Sequence, residues 1–299
     1  MLGPSLNSAG ANGVMAHRVA EGKFDAFTLR CLSAVVLIPV ALAAIWAGGV
    51  WLAAILLTLA GMMAKEWVDT CLSRSVKASS WMILPNPTRM VFMGAVVLAT
   101  IAATFGRFLF AFVIIAFGGV AVAALTGIRR RTDDLITVLG LAYITIPIIA
   151  VTWLSVDMEH GMKTLFWVLV VVWVTDISAY LAGNYFGGPK LAPSVSPGKT
   201  WSGLFGGLIV AGGLAAAAGG MGLAPFSGRF VTLSVLVSLV AQGGDLLESR
   251  LKRHFEVKDF GTIIPGHGGV LDRVDGLLAA FPLVACVQLW AGNGEIIWR

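Results

Sequence analysis

The chain has 299 residues, of which 58% are hydrophobic and 12% charged, with a mean hydropathy of +0.87. Soluble globular domains carry about a quarter of their residues as charges, so this composition excludes a soluble globular protein and predicts an all-α polytopic membrane protein. The formal charge of +5 and pI near 9.3 would suggest a nucleic-acid partner for a soluble chain; here basic residues serve orientation and contact with anionic membrane lipids, and no nucleic acid is expected.

The first 22 residues are polar and rich in Gly, Ser and Ala, and residues 1–30 read as a mobile cytoplasmic segment. So long a hydrophilic lead does not resemble a cleaved signal peptide, so the first apolar run reads as a retained helix. A helix crosses roughly 30 Å of hydrocarbon with about 20 apolar residues, and lipid offers no partner for an unpaired backbone group. Nine stretches qualify: 31–48, 50–67, 90–105, 107–126, 134–155, 163–186, 202–222, 229–248 and 274–291. The short gaps at Gly48-Gly49 and Gly106 predict tight antiparallel hairpins. The Gly- and Ala-rich run at 202–222 predicts close helix packing. Segment 78–88, with Pro85 and Pro87, reads as a linker, and no internal repeat recurs. Residues 31–299 read as one membrane domain, with the catalytic region at about 170–276. Cys31, Cys71 and Cys286 lie far apart, without a CxxC or Cys/His cluster, which argues against structural zinc, disulfides and thiol redox chemistry.

Alternating the connections places 17 of the 21 Lys and Arg residues on one side, leaving Arg107, Lys163, Arg229 and Arg299 on the other. Basic residues in short loops favour the cytoplasm. The N-terminus is therefore expected to be cytoplasmic and the C-terminus external, with the charged block at 245–276 on the cytoplasmic face.

Asp176 falls about midway along the sixth span, where an ionised carboxylate must be paired, hydrated or metal-bound. Its helical spacing to Tyr180, Gly183 and Gly187 fits a functional carboxylate, with a packing face holding one polar cross-link as the lesser alternative. At the end of the eighth span Asp245, Glu248, Ser249 and Lys252 occupy one stripe if the helix continues, either as an ordinary solvated helix end or as a cation-binding edge. Pro265-Gly266-His267-Gly268-Gly269 is a turn whose glycines admit backbone N–H groups to an anion. Leu271-Asp272-Arg273-Val274-Asp275 then sets two carboxylates around an arginine at the start of the ninth helix, where they also complement the helix dipole. Hard oxygen ligands without a thiol or imidazole cluster point to Mg²⁺, and Mg²⁺ is held by one or two carboxylates plus substrate phosphates. A phosphate-handling site follows. His267 fits either an acid–base role or a hydrogen-bonding role in the loop. On the same face, Ser196-Pro197-Gly198-Lys199-Thr200 reads as a rigid turn presenting Lys199, without the spacing of a P-loop.

These residues resemble the CDP-diacylglycerol synthases, or phosphatidate cytidylyltransferases. The family signature is met by Ser249, Lys252-Arg253, Lys258-Asp259, Pro265 through Gly269, and Asp272-Arg273-Val274-Asp275, and the segments around Asp176 and Lys199 are also similar. The chain departs from the pattern at Ser202, where the family usually has Glu, and at Phe260, where it has a small residue. The resemblance implies condensation of CTP with phosphatidate to CDP-diacylglycerol and pyrophosphate. It further implies a divalent metal (Mg²⁺ or Mn²⁺), assistance by K⁺, a homodimer, and residence in the bacterial inner membrane. It assigns Asp245 and Asp272 as metal ligands with Asp275 completing a cation shell. Lys199, Lys252, Arg253, Lys258 and Arg273 become phosphate clamps, Gly268 and Gly269 nucleotide contacts with His267 beside them, and Ser196, Ser249 and Asp176 substrate-side residues. From the residues alone, an ion-coupled transporter using Asp176 and Asp245 and a lipid-linked CTP enzyme such as a lipid kinase remain as alternatives.

A cysteine replacing Lys258 is expected to react with a membrane-impermeant thiol reagent in inside-out vesicles and not in intact cells; labelling only from outside would overturn the topology.

Overall fold

In a solvent without hydrogen-bond partners, a long apolar segment satisfies its backbone only as a helix or a closed barrel, and the long apolar segments among the described residues take the helical solution. A computed structural model of the protein describes residues 39–73, 86–127, 132–157, 160–261, 263, 268–290 and 298. The helices are α1 (residues 39–47), α2 (Gly49–Ser73), α3 (Pro87–Thr104), α4 (Phe108–Thr126), α5 (Thr132–Asp157), α6 (Gly161–Phe186), α7 (Trp201–Gly220), α8 (Gly228–His254) and α9 (Leu271–Trp290). Eight of them, α2 to α9, are long and apolar enough to cross a membrane, each on an expected span. The remaining expected span, 31–48, begins outside the described residues, as does the N-terminal segment 1–30. The protein is an all-α polytopic membrane protein.

Helix ends follow local chemistry. Asn86 caps α3 by accepting from the Thr88 N–H at 2.9 Å, with Pro87 in the first turn. Thr200 and Ser227 cap α7 and α8 by accepting from the amides of Gly203 and Phe230 at 3.1 and 3.2 Å. Gly127 closes α4 in the left-handed region with φ of 69°.

Contacts between helix ends sort the connections into two sets. Arg89 at the start of α3 pairs with Asp69 near the end of α2 at 2.6 Å. His254 at the end of α8 stands 2.6 Å from Asp133 at the start of α5. Glu66 near the end of α2 accepts from the Leu271 N–H at the start of α9 at 3.0 Å. These ends share one pole of the bundle. At the opposite pole Trp298 donates its indole N–H to Thr164, near the start of α6, at 2.8 Å, beside a cavity lined by His160, Lys163, Phe226 and Ser227. The up-and-down alternation inferred from charge counting is thus present.

Residues Ser196–Thr200, expected as a rigid turn, instead form strand β2, antiparallel to β1 (Lys190–Ala192), in a hairpin between α6 and α7. Strand pairing supplies partners for backbone that leaves the membrane between two helices.

Helices α6 to α9 approach closely because small residues line their contacts. Gly203, Gly207, Ala211 and Ala215 form the buried stripe of α7. A Cβ at Gly207 would lie 3.1 Å from the Thr175 methyl of α6 and 3.0 Å from the Gln242 amide nitrogen of α8. A Cβ at Gly244 would lie 2.8 Å from both the Asp275 carbonyl oxygen and the Ala279 Cβ of α9. Gly243 next to it meets nothing within 4 Å. Gly244→Val is therefore expected to destabilise the protein by about 1–3 kcal/mol through overpacking, with Gly243→Ala nearly neutral. Thermal unfolding in detergent checks this, and equal melting of the two variants would contradict the α8–α9 packing.

Candidate active site

Helix α8 continues to His254, six residues beyond the expected span end at 248, so Asp245, Glu248, Ser249 and Lys252 do share a helical stripe. Glu248 is fully buried, and the Lys252 ammonium donates to Glu248 Oε1 and to Asp272 Oδ1, each at 2.9 Å. Asp272, in the first turn of α9, reaches back to accept from the Gly269 N–H at 2.9 Å, in the manner of the acidic member of a capping box. It also accepts from the Phe260 N–H at 3.1 Å. One carboxylate thus fastens α8, the 255–270 connection and α9 together.

The hairpin brings the second cation. Lys199 Nζ pairs with Asp245 Oδ2 at 2.5 Å, and Ser249 donates to the other Asp245 oxygen at 3.4 Å. Arg253 Nε donates to the Val195 carbonyl at 3.3 Å, holding the hairpin against α8. Asp176 on α6 and Asp275 on α9 both lie within electrostatic range of Asp245. Asp275 accepts from the Gly276 N–H at 2.7 Å. Asp176 is exposed on α6 about 15 Å along the axis from the helix end at Phe186, a depth at which a carboxylate needs a partner or water.

Around this cluster the remaining expected residues fall unequally. Arg253, Lys258 and Arg273 are exposed at the rim, and Ser196 is half-buried on β2. Gly268 has φ of +90°, a conformation that favours glycine, and Gly269 is buried. His267 lies outside the described residues, with Pro265 and Gly266. Of the face expected on α6, Asp176 and Tyr180 are exposed and Gly183 packs on Thr200, while Gly187 stands beyond the helix end. Ser202, where the family has Glu, directs its hydroxyl to the Gly187 carbonyl and lies 3.0 Å from the Thr200 hydroxyl, so it braces the start of α7.

Sequence reading missed the contribution of α2 and α5. Glu66 is buried and accepts from the amides of Val270 and Leu271 at 2.9 and 3.0 Å. Trp67 stacks on Phe260 with centroids 5.5 Å apart, and Thr70 donates to the Phe260 carbonyl at 3.1 Å. Tyr143 of α5 packs on Trp67 at 5.1 Å, and its buried hydroxyl has no hydrogen-bond partner among the described residues although Glu248, Asp275 and Asp245 are in electrostatic range. A glutamate inside a predicted span was the available signal for Glu66.

Among the described residues no three His, Cys, Asp or Glu side chains converge as a metal shell. The donor set nevertheless fits the mode in which one or two carboxylates hold Mg²⁺ and substrate phosphates complete the shell. Asp275 and, on release from Lys199, Asp245 offer such oxygens. Asp272 is held more fully, by Lys252 and two backbone amides.

Fold and site together define an integral membrane protein with a charged, oxygen-rich centre at one pole of a helical bundle, suited to polyanionic ligands. The sequence profile described as the cytidylyltransferase family matches residues 28–290, and the chain belongs to that family. It is similar to the phosphatidate cytidylyltransferase of Brucella abortus, 38% identical over 262 residues, which are 85% of this chain and 90% of the relative. It is also similar to the enzymes of that name from Haemophilus influenzae and Bacillus subtilis. The first is 47% identical over 136 residues, covering 42% of this chain and 46% of the relative. The second is 42% identical over 127 residues, covering 42% and 47%.

Removing the ammonium of the buried triad would strand two carboxylates. Lys252→Met is expected to lose about 3–5 kcal/mol of stability, whereas Lys258→Met on the exposed rim should change it by less than about 0.5 kcal/mol. Unaltered thermal unfolding of Lys252→Met in detergent would overturn the triad.

Proposed function

We propose that the protein condenses CTP with phosphatidate, forming CDP-diacylglycerol and releasing pyrophosphate, at a site facing the cytoplasm in a bacterial inner membrane. The observation that carries this reading is the convergence of the family's separated signature residues, with Lys199 of the hairpin paired to Asp245 of α8 and Lys252 of α8 bridged to Asp272 of α9. The relatives named above carry the same activity in their names, and none is a transporter or a kinase. The bias of Lys and Arg toward the charged pole supports the orientation.

In the reaction an oxygen of the phosphatidate phosphate attacks the α-phosphorus of CTP. The bond from that phosphorus to the β-phosphate oxygen breaks, and pyrophosphate leaves with the electron pair. Both reactants are polyanions, so alignment and charge neutralisation dominate the barrier. Lys199 is placed between the hairpin and α8 to meet phosphate charge, with Arg253, Lys258 and Arg273 at the rim for the leaving pyrophosphate. Ser196 and Ser249 offer hydroxyls beside them, and the turn at Gly268 and Gly269 offers close backbone approach. The attacking phosphate is already ionised at neutral pH, so His267 is not needed as a strong base. Asp245, Asp275 and, on release from Lys252, Asp272 would hold Mg²⁺ or Mn²⁺, and Asp176 would help to hold K⁺. A bound divalent ion would supply charge stabilisation on the triphosphate. The reading includes a homodimer. The exposed Asp176 and Tyr180 form a polar face of α6 that hydrocarbon alone would leave unpaired.

Detergent-purified protein is expected to form CDP-diacylglycerol, identified by mass, only when CTP, phosphatidate and a divalent cation are all present. Asp245→Asn should lower pyrophosphate release by at least about 100-fold, the scale of losing one electrostatic contact to the transition state, while leaving membrane insertion intact. Full turnover in the folded variant, or CDP in place of pyrophosphate, would sink the assignment.

A further inference from the structure

Three of the helices carry neutral caps on their own chain, Asn86, Thr200 and Ser227. Helix α9 is different: besides Asp272 its first turn receives a second carboxylate from across the bundle. Glu66 Oε1 accepts from the Val270 N–H at 2.9 Å and Oε2 from the Leu271 N–H at 3.0 Å, and the residue is 3% exposed. Each carboxylate complements the helix dipole, while the two beside one helix start repel each other. The carboxyl group is held in a bidentate geometry that fixes both its position and its orientation.

The surroundings are shaped to that carboxylate. A Cβ at Gly261 would lie 2.5 Å from Glu66 Oε1, and a Cβ at Gly269 would lie 2.8 Å from Oε2 and 2.9 Å from Asp272 Oδ2. A side chain at either position would therefore push Glu66 off its two amides. One turn of α2 thus meets both described ends of the connection, with Glu66 on the start of α9, Trp67 stacked on Phe260 and Thr70 on the Phe260 carbonyl. Phe260 in turn donates its N–H to Asp272, which holds Lys252.

We propose that Glu66 is a positioning residue for the reaction, setting the depth and rotation at which α9 presents Asp272 and Asp275 to the charged centre. This rests on the cytidylyltransferase reading above. Glu66 does not touch a substrate, because it is buried and both its oxygens face backbone amides of the chain. Of the phosphate-facing cations Lys199 stands on the hairpin, Arg253 on α8 and Lys258 on the connection, with Arg273 alone on α9 beside Asp272 and Asp275, so displacement of α9 impairs turnover more than nucleotide capture.

The test compares the full chain with Glu66→Gln, which keeps one acceptor in the same volume, and Glu66→Ala, which keeps none. Hydrogen exchange followed by mass spectrometry is expected to show faster exchange of amides 268–271 in both variants, with the α3–α4 hairpin unchanged. In the pyrophosphate assay kcat should fall about tenfold in Glu66→Gln and about 100-fold in Glu66→Ala, while the KM for CTP changes less than about threefold. Should Glu66→Ala fail to fold, Glu66→Gln alone decides. Wild-type kcat in folded Glu66→Gln, or a loss confined to KM, would overturn the positioning role. Absence of lipid product from the unsubstituted chain would instead sink the parent reading, and is recognised before any substitution is made.

Discussion

The Lys252 ammonium stands between Glu248 and Asp272 at 2.9 Å from each, inside a protein most of whose surroundings are hydrocarbon. A buried carboxylate is tolerated only when paired and hydrogen-bonded, so this bridge dictates how α8 and α9 must meet. With α8 and α9 fixed, Asp245 and Asp275 face the same space, and the hairpin can lay Lys199 on Asp245. Each further feature of the charged pole follows from keeping that bridge intact.

Backbone proximity makes the arrangement possible. Side chains as short as aspartate converge only if their helices nearly touch, and glycine is what allows it. Gly244 rests on the Asp275 carbonyl, and Gly276 would place a Cβ 3.4 Å from Ala241. The Gly-rich face of α7 does the same for α6 and α8 through Thr175 and Gln242. Packing and chemistry are therefore written in the same residues, and the small side chains that read as a helix-packing stripe also set the distances among the carboxylates.

The two halves of the chain divide the work. Helices α6 to α9 and the hairpin carry the charged groups of the candidate site. Helices α2 and α5 supply a scaffold of Glu66, Trp67, Thr70 and Tyr143 that grips the connection before α9. Phe260 shows why a departure from the family pattern can persist: its ring is buried against Trp67, while its backbone N–H and carbonyl join Asp272 and Thr70. Ser202 departs in the other direction, replacing a long acid by a hydroxyl that serves the turn at Gly187.

The sequence by itself determined the all-helical membrane architecture, the alternation of the described helices and the identity of the charged segment. Hydrocarbon penalises unpaired backbone and stray charge wherever they fall, so both leave a local record in composition and spacing. The stripe from Asp245 to Lys252 was legible for the same reason, being set by helical periodicity alone. Only the tertiary structure decided that Lys252 bonds Asp272, that Lys199 rides on a β-hairpin rather than a turn, and that Glu66 holds α9 from 205 positions away. These partners are chosen by which helices pack together and how closely, and no periodicity within one segment records the helix that lies beside it.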